Sequence, residues 1–183
     1  MLTTEKKKYT VQDYMMLEEG APFQLIHHDL IMSPSPTIQH QNVIVKLLQA
    51  FLIYMNQTNN NGLLLCAPMD VKLDDGNVYQ PDLLFVSEER KPALVKERIE
   101  GAPDLVIEIL SPSNAYYDLK SKKDIYEKYG VKEYIIVDPI QENAEIHFIE
   151  NGVYVLKQKA NKTQLLNSVL LPGLVFDLAK IFA

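Results

Sequence analysis

Two carboxylates stand where carboxylates are hard to keep. Glu108 lies within Asp104-Leu105-Val106-Ile107-Glu108-Ile109-Leu110, a nearly all-apolar run. Such a run reads as a central strand buried on both faces. A carboxylate there loses its hydration and needs a partner, which can be a metal ion, a lysine or an arginine. A structural salt bridge, or a place at the rim of an edge strand, would also satisfy it. Because perturbed buried carboxylates concentrate at functional sites, the functional reading leads. Asp82 follows Gln80-Pro81 and precedes Leu83-Leu84-Phe85-Val86. Proline is confined to the first residue of a strand or to an edge, so Asp82 stands at a strand's start, where a side chain can project into a cleft. Taken alone, Pro-Asp is most often a turn. Taken with Glu108, one strand crossing away, it gives two carboxylates that can meet across neighbouring strands. Two hard oxygen donors with open water positions suit Mg²⁺ or Mn²⁺.

A cation follows. Asp118, Lys122 and Tyr126 recur at i, i+4 and i+8 and share one helical face. They are either an exposed ion pair with a packing tyrosine or a lysine delivered to the carboxylates. Lys120, Lys123, Lys128 and Lys132 make this neighbourhood locally basic, the kind of surface that phosphate groups approach. His40 falls in the first turn of a long helix. It either faces a cleft and contacts phosphate or metal-bound water, or is a satisfied polar residue beside Pro34 and Pro36. His27-His28 imitates a metal pair, but it sits in a hairpin turn and adjacent strand residues point to opposite faces, so it reads as structural. Asp70, placed roughly opposite Pro81, either supports Asp82 or faces solvent. Cys66, in an apolar strand, reads as a small buried hydrophobe rather than a nucleophile. The seven glycines form no GxGxxG or phosphate-loop pattern, and there is no GxSxG elbow.

The elements that must hold these residues follow from periodicity. Thr10 caps a short helix, with Asp13 at the capping-box offset and Gly20 as the stop. Phe23 to Met32 reads as a hairpin around His27-His28-Asp29. Thr37 caps the longest helix, with Val43, Ile44, Leu47, Leu48, Phe51, Leu52 and Met55 on one apolar stripe. Two strands, Leu63 to Leu73 and Val78 to Val86, flank the turn Asp74-Asp75-Gly76-Asn77. Glu88 to Glu100 reads as a charged exposed segment. The Asp104–Leu110 strand, a break at Ser111-Pro112-Ser113-Asn114, a helix over Tyr116–Tyr129 and a strand over Glu133–Val137 come next. A hairpin, Ile146–Ile149 and Val153–Leu156, and a short helix close the chain. This order predicts an α/β (α+β) fold, a mixed sheet flanked by helices.

Composition bounds the function. At 183 residues the chain fits one domain with its own core. A single cysteine excludes a disulfide framework and a cysteine-based zinc site. No signal-peptide pattern follows Lys6-Lys7-Lys8, and the apolar runs fall far short of the roughly 20 residues that span a bilayer. A cytoplasmic protein with no membrane partner is the expectation. The net charge of −6 counts against an obligate nucleic-acid binder. With Asp82 and Glu108 on a metal and the lysines gathered on one helix, it predicts weak binding without metal instead.

One family resembles this pattern. Ser33-Pro34-Ser35-Pro36-Thr37 with His40, Gln80-Pro81-Asp82-Leu83, the block from Pro103 to Ser113, Asp118 with Lys122 and Tyr126, and Gly130 to Pro139 are similar to the Uma-two family of the PD-(D/E)XK nuclease superfamily. The resemblance runs from about Tyr9 to Phe182. It implies a restriction-endonuclease-like core in a single domain, 1–183, with an N-terminal helix and hairpin about 9–33, a nuclease-like core about 36–140 and a C-terminal hairpin and closing helix about 144–183. It also implies roles. Asp82 and Glu108 would hold Mg²⁺ (or Mn²⁺), and Lys122 would orient the attacking water or stabilise charge on the scissile phosphate. His40 joins them as a catalytic candidate. In the superfamily the lysine stands two residues after the acid, which here is Leu110, so Lys122 looks like its migrated replacement. The family usually has an acidic residue where this chain has Gln24, which keeps a coordinating oxygen as a possible auxiliary metal ligand but lacks the charge. The implied function is a Mg²⁺-dependent endonuclease acting on DNA, with a homodimer suited to cutting both strands. Two readings compete: a catalytically weak or inactive nuclease-fold protein serving as a binding or regulatory module, and an unrelated α/β interaction protein. The last requires Asp82, Glu108 and Lys122 on separate faces.

Overall fold

The computed structural model describes residues 7–111 and 117–183, without the side chains of 117–120. Most of the expected Ser111–Asn114 break and the side chains of Asp118 and Lys120 therefore lie outside the described residues. Thr10 caps α1 (Val11–Met15) in a reciprocal capping box with Asp13, and the helix stops well before Gly20. Strands β1 (Phe23–Ile26) and β2 (Asp29–Met32) join through His27 and His28, at φ 50° and 66°. Two consecutive left-handed residues are what a tight hairpin turn requires. Thr37 caps α2 (Ile38–Thr58), its hydroxyl accepting the His40 N–H.

Each of the two long strands expected next is divided at a proline. They become β3 (Leu63–Cys66) and β4 (Val71–Asp74), then β5 (Asn77–Tyr79) and β6 (Leu83–Val86), with Pro68 and Pro81 in the gaps. A proline nitrogen cannot donate to a ladder, so pairing lapses there and the hairpin forks. Its base, β3 with β6, enters one sheet, and its tip, β4 with β5, enters another. The Glu88–Glu100 segment is more ordered than its charge suggests. It carries a 3-10 turn, α3 (Lys91–Leu94) and β7 (Ile99–Glu100), and it buries Leu94 and Ile99. The remaining elements are β8 (Leu105–Ile109), α4 (Tyr117–Tyr129), β9 (Glu133–Asp138), β10 (Asn143–Glu150), β11 (Val153–Asn161), β12 (Leu165–Asn167), β13 (Val175–Asp177) and α5 (Leu178–Ile181).

The main sheet has six strands in the order β11-β10-β9-β8-β6-β3. Only β8 and β9 pair in parallel there, and α4 is the crossover between them. The smaller sheet has five strands, β2-β1-β5-β4-β7, and β12 pairs with β13. The fold is thus α+β with mixed sheets, as expected. Alternation along β8 sorts the two cores. Leu105, Ile107 and Ile109 pack with Val43, Leu47 and Phe51 of α2. Val106 packs on the other face with Ile125 and Tyr126 of α4 and Val71 and Tyr79 of the smaller sheet. Leu52, expected on the core stripe of α2, is 50% exposed, and Tyr54 is buried instead. Cys66 is exposed rather than buried, because β3 is an edge strand.

Two buried carboxylates pin the N-terminal ends of β8 and β9. Asp104 accepts from Arg90, Lys132 and the Ser87 N–H. Burial raises its pKa, but these partners outweigh it and hold the carboxyl below its usual range. Glu133 accepts from the Ser168 hydroxyl and from the Val169 and Leu170 N–H groups, each at 2.7 Å, and so ties the closing segment to the sheet. Replacing it leaves three donors without an acceptor. Glu133→Ala is expected to lower stability by about 3 kcal/mol, and Glu133→Gln by less, because an acceptor oxygen remains. Urea unfolding measures both; a Glu133→Ala protein as stable as wild type would remove the clamp.

Candidate functional site

The forked hairpin sets the site. Asp82 stands at the fork, just before β6, and the β6–β8 register pairs Leu83 with Ile107. One step outward in that register, Asp82 lies opposite Glu108. Its Oδ2 accepts the Ile109 N–H at 2.7 Å, which fixes the carboxylate against β8. Side-chain alternation puts Glu108 on the same face of the sheet as Val106, the face covered by α4.

Glu108 is 5% exposed and fully engaged from α4. Lys122 Nζ donates to its Oε2 at 2.8 Å, and the Tyr126 hydroxyl donates to its Oε1 at 2.8 Å. The expected sharing of one helical face is what allows both contacts. Burial pushes the Glu108 carboxyl above its ordinary range; Lys122 pulls it back, and the nearby Asp82 charge pushes it up again. A carboxylate that is raised by burial and repelled by a second one is a site that a cation stabilises. Tyr126 itself is buried between Tyr79 and Tyr134, with ring centroids 5.7 and 5.4 Å away.

His40 reaches Asp82 from the opposite helix. Its Nε2 is 3.3 Å from Asp82 Oδ2, and its Nδ1 is buried with no hydrogen bond among the described residues. Burial lowers the ring's pKa, but the Asp82 carboxylate, the Ile109 backbone and the Glu108 charge outweigh it and hold His40 above the ordinary imidazole value.

Asp82, Glu108, Lys122, His40 and Gln24 all line one cleft of about 1300 Å³ between the two sheets. Gln24, however, is already occupied. Its Oε1 accepts the Gln80 N–H at 3.0 Å and its Nε2 donates to Ser33 Oγ at 2.8 Å. Asp70 accepts from Gln80 Nε2 at 3.0 Å and from the Tyr14 hydroxyl at 2.9 Å. Gln24 and Asp70 thus clamp Gln80 and set the Pro81-Asp82 backbone, so Asp70 neither touches Asp82 nor faces solvent alone. The histidine pair is structural in its contacts: His28 donates to the Tyr9 carbonyl, and His27 lies 3.4 Å from Ser121 Oγ. The basic cluster disperses. Lys132 is bound to Asp104 at the far end of β8, and Lys128 sits over the Tyr129 ring. Arg98 lines the cleft instead. No local pattern marks it, because β7 brings it there only once the smaller sheet has formed.

The donor set fits a divalent ion in part. Two hard carboxylates face each other across β6 and β8, and Asp82 Oδ1 accepts no hydrogen bond among the described residues. No group of three or more His, Cys, Asp or Glu side chains converges among the described residues. Water or substrate would have to complete the shell.

The sequence matches the Uma2 (Uma-two) family, whose description reads "Putative restriction endonuclease", over residues 11–179. The chain belongs to the Uma2 family. No curated protein matches it. Among solved structures it is similar to one from Anabaena variabilis ATCC 29413, described as a putative nuclease belonging to DUF820. The TM-score is 0.77 at 16% identity, covering 94% of this chain and 97% of that chain. At that identity the likeness shows the fold. In this Uma2 chain Leu110, just past the end of β8, holds the position two residues after Glu108, and a cation reaches Glu108 from α4 as Lys122.

The raised imidazole makes a pH prediction for the metal-free protein. A histidine whose folded pKa exceeds its unfolded value of about 6.5 stabilises the fold fully below that pH. The contribution is lost as pH rises through the folded pKa. His40→Asn should therefore cost more stability at pH 6 than at pH 9. Urea unfolding in EDTA reads this directly, and an equal loss at both pH values would mean that the His40–Asp82 pair is not ionic.

Proposed function

We propose that this chain is a Mg²⁺-dependent (or Mn²⁺-dependent) endonuclease that hydrolyses phosphodiester bonds of DNA, acting as a cytoplasmic homodimer. The observation that carries this is the meeting of Asp82, Glu108 and Lys122 in one cleft, two carboxylates on adjacent strands with a lysine 2.8 Å from one of them. A reading as an unrelated interaction protein needs those three on separate faces.

In this reading Asp82 and Glu108 would hold the metal, which would lower the pKa of a water and offset charge developing on the phosphate. The protein's own groups do the rest. Ile109 N–H and Tyr126 fix the two carboxylates, so neither has to reorganise. Lys122 is the cation nearest the carboxylate pair and stabilises charge on the scissile phosphate or orients the water. His40 holds Asp82 and presents a proton-bearing ring to the cleft wall. Among the described residues the cleft is lined by six carboxylates against Lys122 and Arg98, a balance that without metal disfavours a phosphate backbone. Metal is then required for substrate to enter as well as for chemistry.

A second reading is the catalytically weak or inactive module. Gln24 favours it: the residue is uncharged, and its amide oxygen is spent on Gln80. Metal binding separates the two. Calorimetry of the active enzyme should show Mg²⁺ or Mn²⁺ binding that is lost in Asp82→Asn and Glu108→Gln, whereas the inactive module needs no such binding.

Supercoiled plasmid with Mg²⁺ or Mn²⁺ tests the activity. Nicking should require metal and disappear in Asp82→Asn and Glu108→Gln. Lys122→Met should keep metal binding and lose about 10²- to 10⁴-fold in rate. Equal nicking by wild type and both carboxylate variants would identify a contaminant and overturn the proposal.

A further inference from the structure

The smaller sheet brings a cation to the cleft that no carboxylate holds closely. Of the chain's two arginines, Arg90 is bound to the buried Asp104, and Arg98 lines the cleft. The ladder fixes where Arg98 stands. Val71 pairs with Ile99 on one side and with Tyr79 on the other. One step along β4 toward the fork, the same register brings Arg98, Asp70 and Gln80 into a single row across three strands. The Ile99 N–H donates to the Asp70 carbonyl at 3.0 Å, which carries the ladder to that row. Residues opposite one another on neighbouring strands share a face of the sheet, and Gln80 Nε2 does reach Asp70. Neighbouring strands lie about 4.8 Å apart, so Arg98 stands roughly 10 Å from Gln80 along the row. Gln80 leads through Pro81 into Asp82. Burial and the Asp70 carboxylate raise the pKa of the Tyr14 hydroxyl, which bonds Asp70, and the Arg98 charge is near enough to pull it back.

The Arg98 guanidinium is only loosely engaged. Its side chain is 22% exposed, yet it donates a hydrogen bond to no oxygen among the described residues. Nη1 contacts the Met15 sulfur, and Nε faces Glu100 Oε1 at 3.6 Å, beyond hydrogen-bond length. Glu100 is shared with Lys72, whose Nζ is 3.8 Å away. A planar fork of N–H donors in this condition suits a phosphate group, which accepts two of them side by side. Glu18, Glu19 and Glu97 on the same wall are exposed, so salt screens them far more than it screens a half-buried group. We propose that Arg98 is a substrate-binding residue that holds a phosphodiester group of the DNA strand being cut, neighbouring the phosphate at Asp82 and Glu108. This rests on the nuclease reading and adds a fixed contact to it. Lys122 is engaged by Glu108 at the cleft floor, which leaves Arg98 as the described cation on the wall. A strand held at one phosphate by the carboxylate pair and at another by a rung of the smaller sheet has a set direction through the cleft. The competing role is structural, with Arg98 tying β7 to α1 through Met15.

Fluorescence anisotropy of a labelled DNA duplex of about 20 base pairs, with the full chain in Ca²⁺ over a series of salt concentrations, decides between them. Ca²⁺ offers the carboxylates a divalent ion with oxygen preference, and only binding is read. Arg98→Gln should raise Kd about tenfold and lower the slope of log Kd against log salt by about one. Arg98→Lys, which keeps the charge and loses the fork, should keep the slope with a smaller loss of affinity. Lys96→Gln removes one exposed charge two residues away, outside the cleft wall, and should match wild type. Glu100→Gln frees the guanidinium and should tighten binding several-fold, an effect that vanishes in the Arg98→Gln background. The structural role predicts the opposite sign for Glu100→Gln, so the proposal stays testable even where Arg98→Gln folds poorly. Metal-dependent DNA binding by wild type that Arg98→Gln leaves unchanged overturns the proposal and leaves the nuclease reading standing. So does an equal loss in Lys96→Gln, or weaker binding in Glu100→Gln. A wild type that binds no DNA with metal overturns the nuclease reading and this contact with it.

Discussion

A carboxylate on the central strand of a sheet must be neutralised by whatever packs over that strand. Glu108 has β6 on one side, β9 on the other and a helix above it, and the desolvation of an unpaired charge there is worth several kcal/mol. The compensation comes from α4, whose Lys122 and Tyr126 are one helical turn apart and take one carboxylate oxygen each. This requirement fixes more than a contact. It sets the rotation of α4 on the sheet and places Tyr126 between Tyr79 and Tyr134, so the second core assembles around a polar centre. Because α4 is also the crossover from β8 to its parallel neighbour β9, the helix that neutralises the charge links the strand that carries it to the next strand of the same sheet.

Asp82 is positioned by a different device. Pro68 and Pro81 interrupt two strands at nearly the same level, and the hairpin forks between two sheets. The fork opens the cleft and places Asp82 at its apex. The same residue is then held from three directions: the Ile109 N–H, His40 from α2, and the Gln24–Gln80–Asp70 bonds that fix the backbone before it. Cleft and carboxylate pair therefore have a common cause. A continuous Leu63–Leu73 strand would close the first and move the second.

Much of this was legible in the sequence because it rests on violations of local rules. A glutamate in an apolar strand, an aspartate after a strand-initial proline and a lysine at i+4 from an aspartate on a following helix each stand out by type. Capping at Thr10 and Thr37 is local and was equally readable. What could not be read depends on which strand neighbours which. Cys66 looks buried by its neighbours in sequence and is exposed because β3 is an edge. Lys132 looks like part of a basic face and is captured by Asp104, a partner 28 positions earlier. Leu52 fits the core stripe by periodicity, yet the core covers a narrower arc of α2 than the apolar residues occupy. Gln24 looks like a weakened metal ligand, and only the second sheet reveals it as a brace for Gln80.

The distribution of charge connects these observations. With six carboxylates against two full cations among the described residues of its wall, the cleft is a poor receptor for an anion while its carboxylates are free. Lys122 is committed to Glu108 and supplies little field to the opening. Divalent binding would change both conditions: it offsets the carboxylates and lets the lysine's charge act outward. Under the proposed function, a site arranged in this way would discriminate by electrostatics before it did so by shape, because a negatively charged substrate would be admitted only after the cation that the proposed chemistry also requires.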